Sequence, residues 1–226
     1  MNILNKNSLS ETLDNLNQVF FDDIKLSISE RTKIAKWIAS RQGLAGSYWN
    51  MFAPTPSDLK GIKLFTSENV TTRAGISHIL GEEACHVLFK LNVKSTFPEI
   101  QNAEDGLKKA IKNAIEKGYE SYGWYCCGKC SAAYWRNLSA EGVDRNKKIL
   151  KAGIKILNSL RDGNGKWKRF PFYYSLYSLS DIELPEAKEE LRYTANVCER
   201  LQRTMRKDGK YAERRFKLVE RVLSIV

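Results

Sequence analysis

Several helix ends in this sequence run into the same short motif, in which a polar turn is followed by glycine, any residue and an aromatic residue. The copies are Gly46-Ser-Tyr48, Gly165-Lys-Trp167, Gly209-Lys-Tyr211 and the shortened Gly123-Trp124. Glycine permits a positive φ after a helix, and the aromatic ring fills the junction with the next element. In chain order these glycines are 46, 123, 165 and 209, and they lie 77, 42 and 44 residues apart. Such intervals fit one or two helical hairpins each. The sequence therefore predicts an all-α chain of repeated helical hairpins.

A single hairpin of this length cannot bury its apolar face alone, so repeated units are expected to stack on one another. The alternative is that each turn arose independently, since glycine commonly ends a helix. We predict an N-terminal arm at residues 1–28, with one amphipathic helix capped by Ser10 or Thr12, and a single helical-repeat domain at residues 29–226. Further long helices are predicted over 69–91 and 185–205.

Two segments, 41–48 and 165–180, carry a resemblance to a known family. In each case a helix that closes on a Gln or Arg leads through a polar turn into Gly-x-Tyr or Gly-x-Trp. This pattern resembles the repeats of the squalene-cyclase and protein-prenyltransferase superfamily, whose fold is an α/α toroid. The resemblance covers residues 30–226 in periodicity and is specific in these two segments. It implies a toroid-like domain, with a complete or partial ring, that binds a small apolar, isoprenoid-like or peptide ligand in a central cavity.

The sequence departs from this superfamily at the positions that carry its chemistry. It has no Asp-x-Asp-Asp acid motif, and its only adjacent aspartates, Asp22 and Asp23, lie in the N-terminal arm. The stretch Phe170–Tyr174 offers no zinc ligand where the prenyltransferases have an Asp-x-Cys pair. Two classes stay open: a transferase or cyclase of the toroid type without the acid motif, and a protein that is not an enzyme.

The segment Cys126-Cys-Gly-Lys-Cys130 is the clearest chemical motif. A Cys-x-x-Cys pair at the start of a helix directs two thiolates, those of Cys127 and Cys130, to one metal, and Zn²⁺ suits such ligands. Cys85 and His86 are predicted to complete the set. His78 and Cys198 are further candidates, and four cysteines would instead suit an iron–sulfur cluster.

Other interpretations of the cysteines remain open. The pairs Trp124-Tyr-Cys126 and Cys85-His86 resemble the zinc ligands of lanthionine cyclases, in the opposite order along the chain. Cys85 and Cys198 also fit small buried hydrophobic positions, which leaves the Cys-x-x-Cys pair unliganded or redox-sensitive. A thioredoxin-like use is disfavoured because no strand precedes the motif.

Two aromatic clusters, one on each side of residue 150, are predicted to line a ligand cavity, with arginines as anion contacts. The predicted ligand-binding residues are Arg73, Trp124, Tyr125, Trp135, Trp167, Arg169, Phe170, Tyr173 and Tyr174, and Tyr119 belongs to the first cluster. The alternative is that these rings are core plugs between hairpins.

His78, Glu82 and Glu83 are candidate acid–base residues on one helix, with His86 one turn further on. The alternative places them on a solvated helix face.

The chain has 37 basic and 26 acidic residues, a net charge of +11. This excess favours an anionic partner, so a non-catalytic scaffold that binds nucleic acid or protein through its basic surface is the competing hypothesis. The basic run from Arg200 to Lys217 is the candidate surface. No apolar stretch reaches membrane-spanning length and no signal peptide is evident, so we expect a cytoplasmic protein with reduced cysteines. An oligomer is compatible with the sequence.

Overall fold

The computed structural model describes residues 3–93, 98–118 and 121–226. Within them, the predicted all-α class is confirmed, since nine helices hold most of the residues and the only sheet is a two-stranded antiparallel pair. The helices are α1 (Leu9–Phe21), α2 (Ile28–Ala39), α3 (Arg73–Leu91), α4 (Pro98–Glu116), α5 (Gly128–Ser159), α6 (Phe172–Ser180), α7 (Pro185–Tyr193), α8 (Ala195–Thr204) and α9 (Lys210–Ile225). The strands are β1 (Ile62–Lys63) and β2 (Asn69–Val70), and Asp58–Lys60 is a short 3-10 helix. None of the helices in these residues is long and apolar enough to cross a membrane.

The chain groups into two compact units. The first comprises Met1–Leu64 and Asn69–Glu120, and the second comprises Phe65–Glu68 and Ser121–Val226. In the first unit, α3 packs against α1, α2 and α4. The segment interpreted as a peripheral arm contributes to this core, because the apolar side chains of α1 recur at helical spacing and are buried against α3.

Local hydrogen bonds place several helix boundaries away from their predicted positions. The N-cap of α1 is Ser8, whose hydroxyl accepts the amide of Glu11, rather than Ser10 or Thr12. The predicted helix 185–205 is broken at Thr194, whose hydroxyl donates to the Leu191 carbonyl at 2.7 Å. Such a bond competes with the helical ladder, which explains the interruption. The predicted helix 69–91 begins only at Arg73, because residues 69 and 70 pair with β1.

The second unit is arranged around α6, which packs against α5, α7 and α9, while α8 packs against α9. The long α5 is interrupted at Gly142, where φ is 144° and ψ is 119°. Two helical segments therefore meet at that glycine.

All four glycines of the repeated turn have the positive φ that the sequence predicted. The values are 91° at Gly46, 86° at Gly123, 80° at Gly165 and 87° at Gly209. In two of the turns the chain closes on itself through an isolated antiparallel bridge, between Gln42 and Phe52 in one and between Arg161 and Trp167 in the other. The turn geometry is thus repeated, and the arrangement of the hairpins as a toroid stays a prediction.

The aromatic plug of one turn is held by a buried carboxylate, Glu190 of α7. The indole Nε1 of Trp167 donates to Glu190 at 2.8 Å, and Arg161 donates two bonds to the same carboxylate at 2.8 and 3.2 Å. Asn158 adds a bond of 2.8 Å. Glu190 is 1% exposed, so this carboxylate ties the end of α5 and the turn to α7 inside the second unit.

Two buried arginines of the second unit enclose a pair of stacked rings. The guanidinium of Arg136 lies 4.0 Å from the ring centre of Tyr177, and that of Arg214 lies 4.1 Å from the ring centre of Phe65. The two rings stack at 4.7 Å. Cations over π faces are attracted to the negative face of the ring, which compensates part of their desolvation. Arg214, assigned by sequence to a basic surface, is therefore a core residue.

A buried aspartate, Asp58, organises the start of α1 in the first unit. It accepts hydrogen bonds from the hydroxyls of Ser8, Ser10 and Thr55 and from the amides of Leu9, Ser10 and Thr55, at distances between 2.7 and 3.2 Å. Burial raises the pKa of Asp58, but the bonds from Ser8, Thr55 and Ser10 outweigh burial and hold the pKa below its usual value. The charged form is therefore the one that the fold stabilises.

Substitution of Asp58 by asparagine is expected to lower the free energy of unfolding by about 2 kcal/mol at neutral pH, because several bonds to a charged acceptor are lost. A carboxyl group with a lowered pKa stabilises the fold above its unfolded pKa of about 3.9, and the contribution is lost as the pH falls through the folded pKa. Urea unfolding between pH 7 and pH 2.5 should show a smaller loss of stability in acid for the variant than for the wild type. Replacement of the exposed Asp105 by asparagine is the control, and an equal effect of both changes would contradict the prediction.

Candidate metal centre

The loop before α5 is fixed by its own backbone and by one serine. The hydroxyl of Ser131 accepts the amide of Tyr125 at 2.9 Å and donates to the carbonyl of the same residue at 3.0 Å. Cys126 has a φ of 55°, and Cys127 is the N-cap of α5. A non-glycine residue with positive φ is uncommon and reverses the chain locally. The reversal at Cys126 therefore turns the three cysteines of the motif towards one another.

The three sulfur atoms form a compact cluster within the second unit. The Sγ atoms of Cys127 and Cys130 are 3.6 Å apart, and those of Cys126 and Cys130 lie within 4.8 Å. Cys126 and Cys127 are exposed, whereas Cys130 is buried at 1% exposure. The predicted ligand set contained Cys127 and Cys130, and Cys126 entered only through the resemblance to the lanthionine cyclases. The adjacent Cys126-Cys127 pair was the sequence signal for a third ligand. The sequence did not reveal that Cys126 faces Cys130, because that depends on the backbone reversal at Cys126.

The cluster favours a thiolate at Cys127. Hydrogen bonds with the side chains of Cys126 and Cys130 lower the pKa of Cys127, and the amides of Cys130 and Lys129 at the start of α5 add to this effect against the opposing effect of burial. The pKa of Cys130 is raised by its bonds to Cys126 and Cys127, by burial and by the nearby charge. A helix N-terminus stabilises a thiolate in this way because its free N–H groups point at the sulfur.

The start of α5 rests directly on the backbone of the 165–171 turn. A Cβ added to Gly128 would lie 2.3 Å from the carbonyl oxygen of Arg169, so only glycine permits this approach. Arg169 itself has a φ of 66°, and its guanidinium lies 5.4 Å from the ring centre of Trp124. Gly128 therefore has a structural role, because its lack of a Cβ lets the start of α5 pack against this turn.

Rings that the sequence predicted as ligand contacts form a packed group under the cysteine loop. Phe170 lies 5.4 Å from both Trp124 and Trp135, edge-on to the first and stacked on the second. The indole Nε1 of Trp135 donates to the carbonyl of Gly123 at 2.8 Å. These contacts hold the backbone just before the cysteines in place.

The other predicted ligand-binding residues lie in different surroundings. Tyr125, Trp167 and Tyr174 are buried in the second unit, which agrees with the alternative of core plugs. Tyr173 is half-buried, with its hydroxyl 3.7 Å from the Met205 sulfur. Arg73 is exposed at the start of α3 in the first unit, and Tyr119 lies outside the described residues. Contact of these residues with a ligand stays a prediction.

The candidate acid–base residues of α3 are buried, so their placement on a solvated helix face was wrong. The described side chains of His78, Glu82, Glu83 and His86 are between 0 and 8% exposed. The ring of His78 lies 3.6 Å from that of Tyr48, and Glu83 accepts a bond of 2.8 Å from an asparagine of α1. The apolar pattern misled because α3 is packed on several sides and has no solvated stripe.

The predicted metal ligands are distributed over both units. Cys85 and His86 lie on α3 in the first unit, where both are buried, and Cys127 and Cys130 lie in the second. Their union in one metal site stays a prediction. Cys198, another candidate, is buried on α8 with its sulfur 3.6 Å from the Thr194 hydroxyl.

Comparisons of the chain with protein-family models, with curated proteins and with solved structures find no match.

Proposed function

We propose that the loop Cys126–Cys130 binds a zinc ion through its thiolates. The observation that carries the proposal is the 3.6 Å distance between the sulfurs of Cys127 and Cys130. Two thiolates at about 2.3 Å from a tetrahedral zinc lie about 3.7–3.8 Å apart, so this pair already has the spacing of two zinc ligands. Cys126 supplies a third sulfur on the same side of the loop.

The surroundings of the pair favour deprotonated sulfur, which is the form that binds metal. The pKa of Cys127 is lowered by the neighbouring thiols and by the amides at the start of α5. A dipositive ion among these sulfurs would also remove the mutual repulsion that raises the pKa of Cys130. The loop geometry, the type of ligand and the local electrostatics therefore all support the binding of zinc.

The fourth position decides what the zinc would do. A fourth protein ligand makes a structural site, whereas a water molecule leaves a position open for substrate. The sequence-based candidates for this ligand are His78, Cys85, His86 and Cys198. With an open position, the ion would activate a bound thiol or water for attack on a substrate. With a closed one, the centre would stabilise the loop.

A ligand site next to the cysteines is the second part of the proposal, in keeping with the toroid superfamily that the chain resembles. Trp124 is half-buried and Arg169 is exposed, and the guanidinium lies over the indole. A ring with an adjacent cation suits an apolar, isoprenoid-like or peptide ligand that carries an anionic group. These two residues, rather than the buried rings, are the ligand contacts that we propose.

The competing hypothesis, a scaffold that binds anionic macromolecules through the basic run 200–217, has less support. Arg214 is buried, and Arg215 donates to the Thr66 carbonyl at 2.7 Å. Lys207 lies over the ring of Phe216 at 3.6 Å. Several cations of the run thus serve contacts within the second unit, which weakens the case for one continuous phosphate-binding surface.

Metal analysis of the purified chain tests the zinc site. We expect one zinc per chain, and we expect Cys127→Ser or Cys130→Ser to weaken zinc binding by about 100-fold or more, because each removes a direct ligand. Cobalt substitution should give a sulfur-to-cobalt charge-transfer band that the same variants lose. Ser159→Ala, which changes an exposed serine near the end of α5, is the control and should leave zinc binding and the cobalt band unchanged.

Variants of the fourth-ligand candidates extend this experiment. His78→Ala, Cys85→Ser, His86→Ala and Cys198→Ser are compared in the cobalt spectrum, with circular dichroism to check folding. One variant that changes the band identifies a closed site, and no change in any of them indicates a bound water. A folded wild-type protein that binds neither zinc nor cobalt would refute the proposed centre.

A further inference from the structure

We propose that Cys127 is a modification site for low-molecular-weight disulfides and that Cys130 is its resolving thiol, so that oxidation joins these two sulfurs and releases the metal. The release step rests on the proposed function, whereas the thiol exchange depends only on the cysteines. The substrate class is a small disulfide such as oxidised glutathione.

The two cysteines differ in the accessibility that such an exchange needs. Cys127 is exposed at the start of α5, and Cys130 is 1% exposed one turn later. A dissolved disulfide therefore reaches the sulfur of Cys127 and not that of Cys130. Cys130 lies 3.6 Å from the Cys127 sulfur, so it attacks a disulfide formed there without any approach from solvent.

Geometry also limits which pairs of these cysteines can be joined. Disulfides span Cα atoms that are usually 4.4–6.8 Å apart, whereas adjacent residues are about 3.8 Å apart, so a bond between Cys126 and Cys127 is disfavoured. We assign the disulfide to Cys127 and Cys130, whose sulfurs are 3.6 Å apart. The sulfurs of Cys126 and Cys130 also lie within 4.8 Å of each other, so a bond between these two is the competing outcome, and its formation would contradict the assignment.

The exchange is balanced in atoms and electrons. The Cys127 sulfur attacks one sulfur of the small disulfide, a mixed disulfide forms, and the first small thiolate leaves. The Cys130 sulfur then attacks the Cys127 sulfur, which breaks the mixed disulfide and releases the second small thiolate. The two cysteines lose two electrons in total, and the small disulfide gains two and becomes two thiols with protons from solvent. A metal bound to both sulfurs loses two ligands and dissociates.

The test exposes zinc-loaded protein and the same protein stripped with a chelator to oxidised glutathione. Released zinc is measured with a chromogenic chelator, remaining thiols by titration, and disulfide positions by peptide mass mapping. For the wild type we expect a disulfide between Cys127 and Cys130 and the loss of one zinc per disulfide, both reversed by a dithiol reductant and added zinc.

Variants separate the two roles. Cys130→Ser should stop at a glutathione adduct on Cys127, Cys127→Ser should form no disulfide in the loop, and Cys126→Ser should still form it. Ser159→Ala, which changes an exposed serine of α5, is the control. A disulfide that involves another pair, or a stripped protein that does not react at Cys127, would overturn the inference.

The metal readout distinguishes this inference from the proposed function. If the protein binds zinc and retains it while the stripped form makes the disulfide, the release step is wrong and the zinc centre stands. If the protein binds no zinc but the disulfide forms as described, the zinc centre is wrong and the thiol exchange stands.

Discussion

Replacement of Glu190 by alanine is expected to lower the free energy of unfolding by about 3 kcal/mol. The carboxylate is 1% exposed and accepts bonds from Asn158, Arg161 and Trp167. Its removal takes this acceptor away from three side chains, one of them a charged guanidinium. Breaking a buried ion pair costs about 3–5 kcal/mol, and the lower end applies because the Arg161 side chain is 28% exposed.

Urea unfolding followed by circular dichroism measures this effect, and the neighbouring Glu189 provides a matched control. Glu189 also faces Arg161, at 3.9 Å, but its side chain is 67% exposed. Exposed pairs contribute about 0–1 kcal/mol, so Glu189→Ala should change stability little. Equal losses for the two alanine variants would contradict the role assigned to Glu190. Tryptophan fluorescence should also shift in Glu190→Ala, because the Trp167 indole loses its acceptor.

Gly123→Ala is expected to destabilise the protein by about 3 kcal/mol or more and to disturb the cysteine loop. The backbone there has a φ of 86°, which costs a residue with a side chain about 1–2 kcal/mol. The added Cβ would also lie 2.4 Å from the amide nitrogen of Gly153 and 2.8 Å from the carbonyl oxygen of Ile149. Backbone atoms cannot move aside as a flexible side chain does, so overpacking adds a further cost of about 1–3 kcal/mol.

Gly209→Ala separates the two contributions. Gly209 belongs to the same class of turn and has a φ of 87°, but an added Cβ would meet nothing within 4 Å. We expect the free energy of unfolding of this variant to fall only by the cost of the positive φ, which is about 1–2 kcal/mol. Urea midpoints with unchanged slopes would report the difference, and the proposed zinc affinity should fall in Gly123→Ala alone. If Gly209→Ala is as destabilised as Gly123→Ala, the close backbone approach has no energetic role.

The sequence predicted the parts of the fold that depend on neighbouring residues. The positive φ at the four turn glycines is a local property, because glycine lacks the Cβ that disfavours that region. The helix that begins at Pro185 follows from the fixed φ of proline and its missing amide. Its break at Thr194 was missed because a threonine inside a helix either donates to the preceding turn or faces solvent, and the sequence does not distinguish these cases.

The candidate site was predictable in type and only partly in composition. The Cys-x-x-Cys spacing placed Cys127 and Cys130 together, since both lie on the first turn of a helix. The participation of Cys126 depends on a backbone reversal that no propensity predicts. The aromatic residues nearby were recognised as a cluster, but whether a ring is a plug or a ligand contact depends on which neighbours cover it.

The sequence by itself determined the helical class, the turn glycines and the position of the thiol motif, because each follows from contacts within a few residues. Only the tertiary structure decided that Glu190 holds Trp167, that Arg214 is buried against Phe65, and that Gly128 approaches the carbonyl of Arg169. These pairs are separated by 23, 149 and 41 residues. Such contacts form only when the apolar surfaces of several helices are buried together, so they depend on the packing of the whole unit rather than on local preferences.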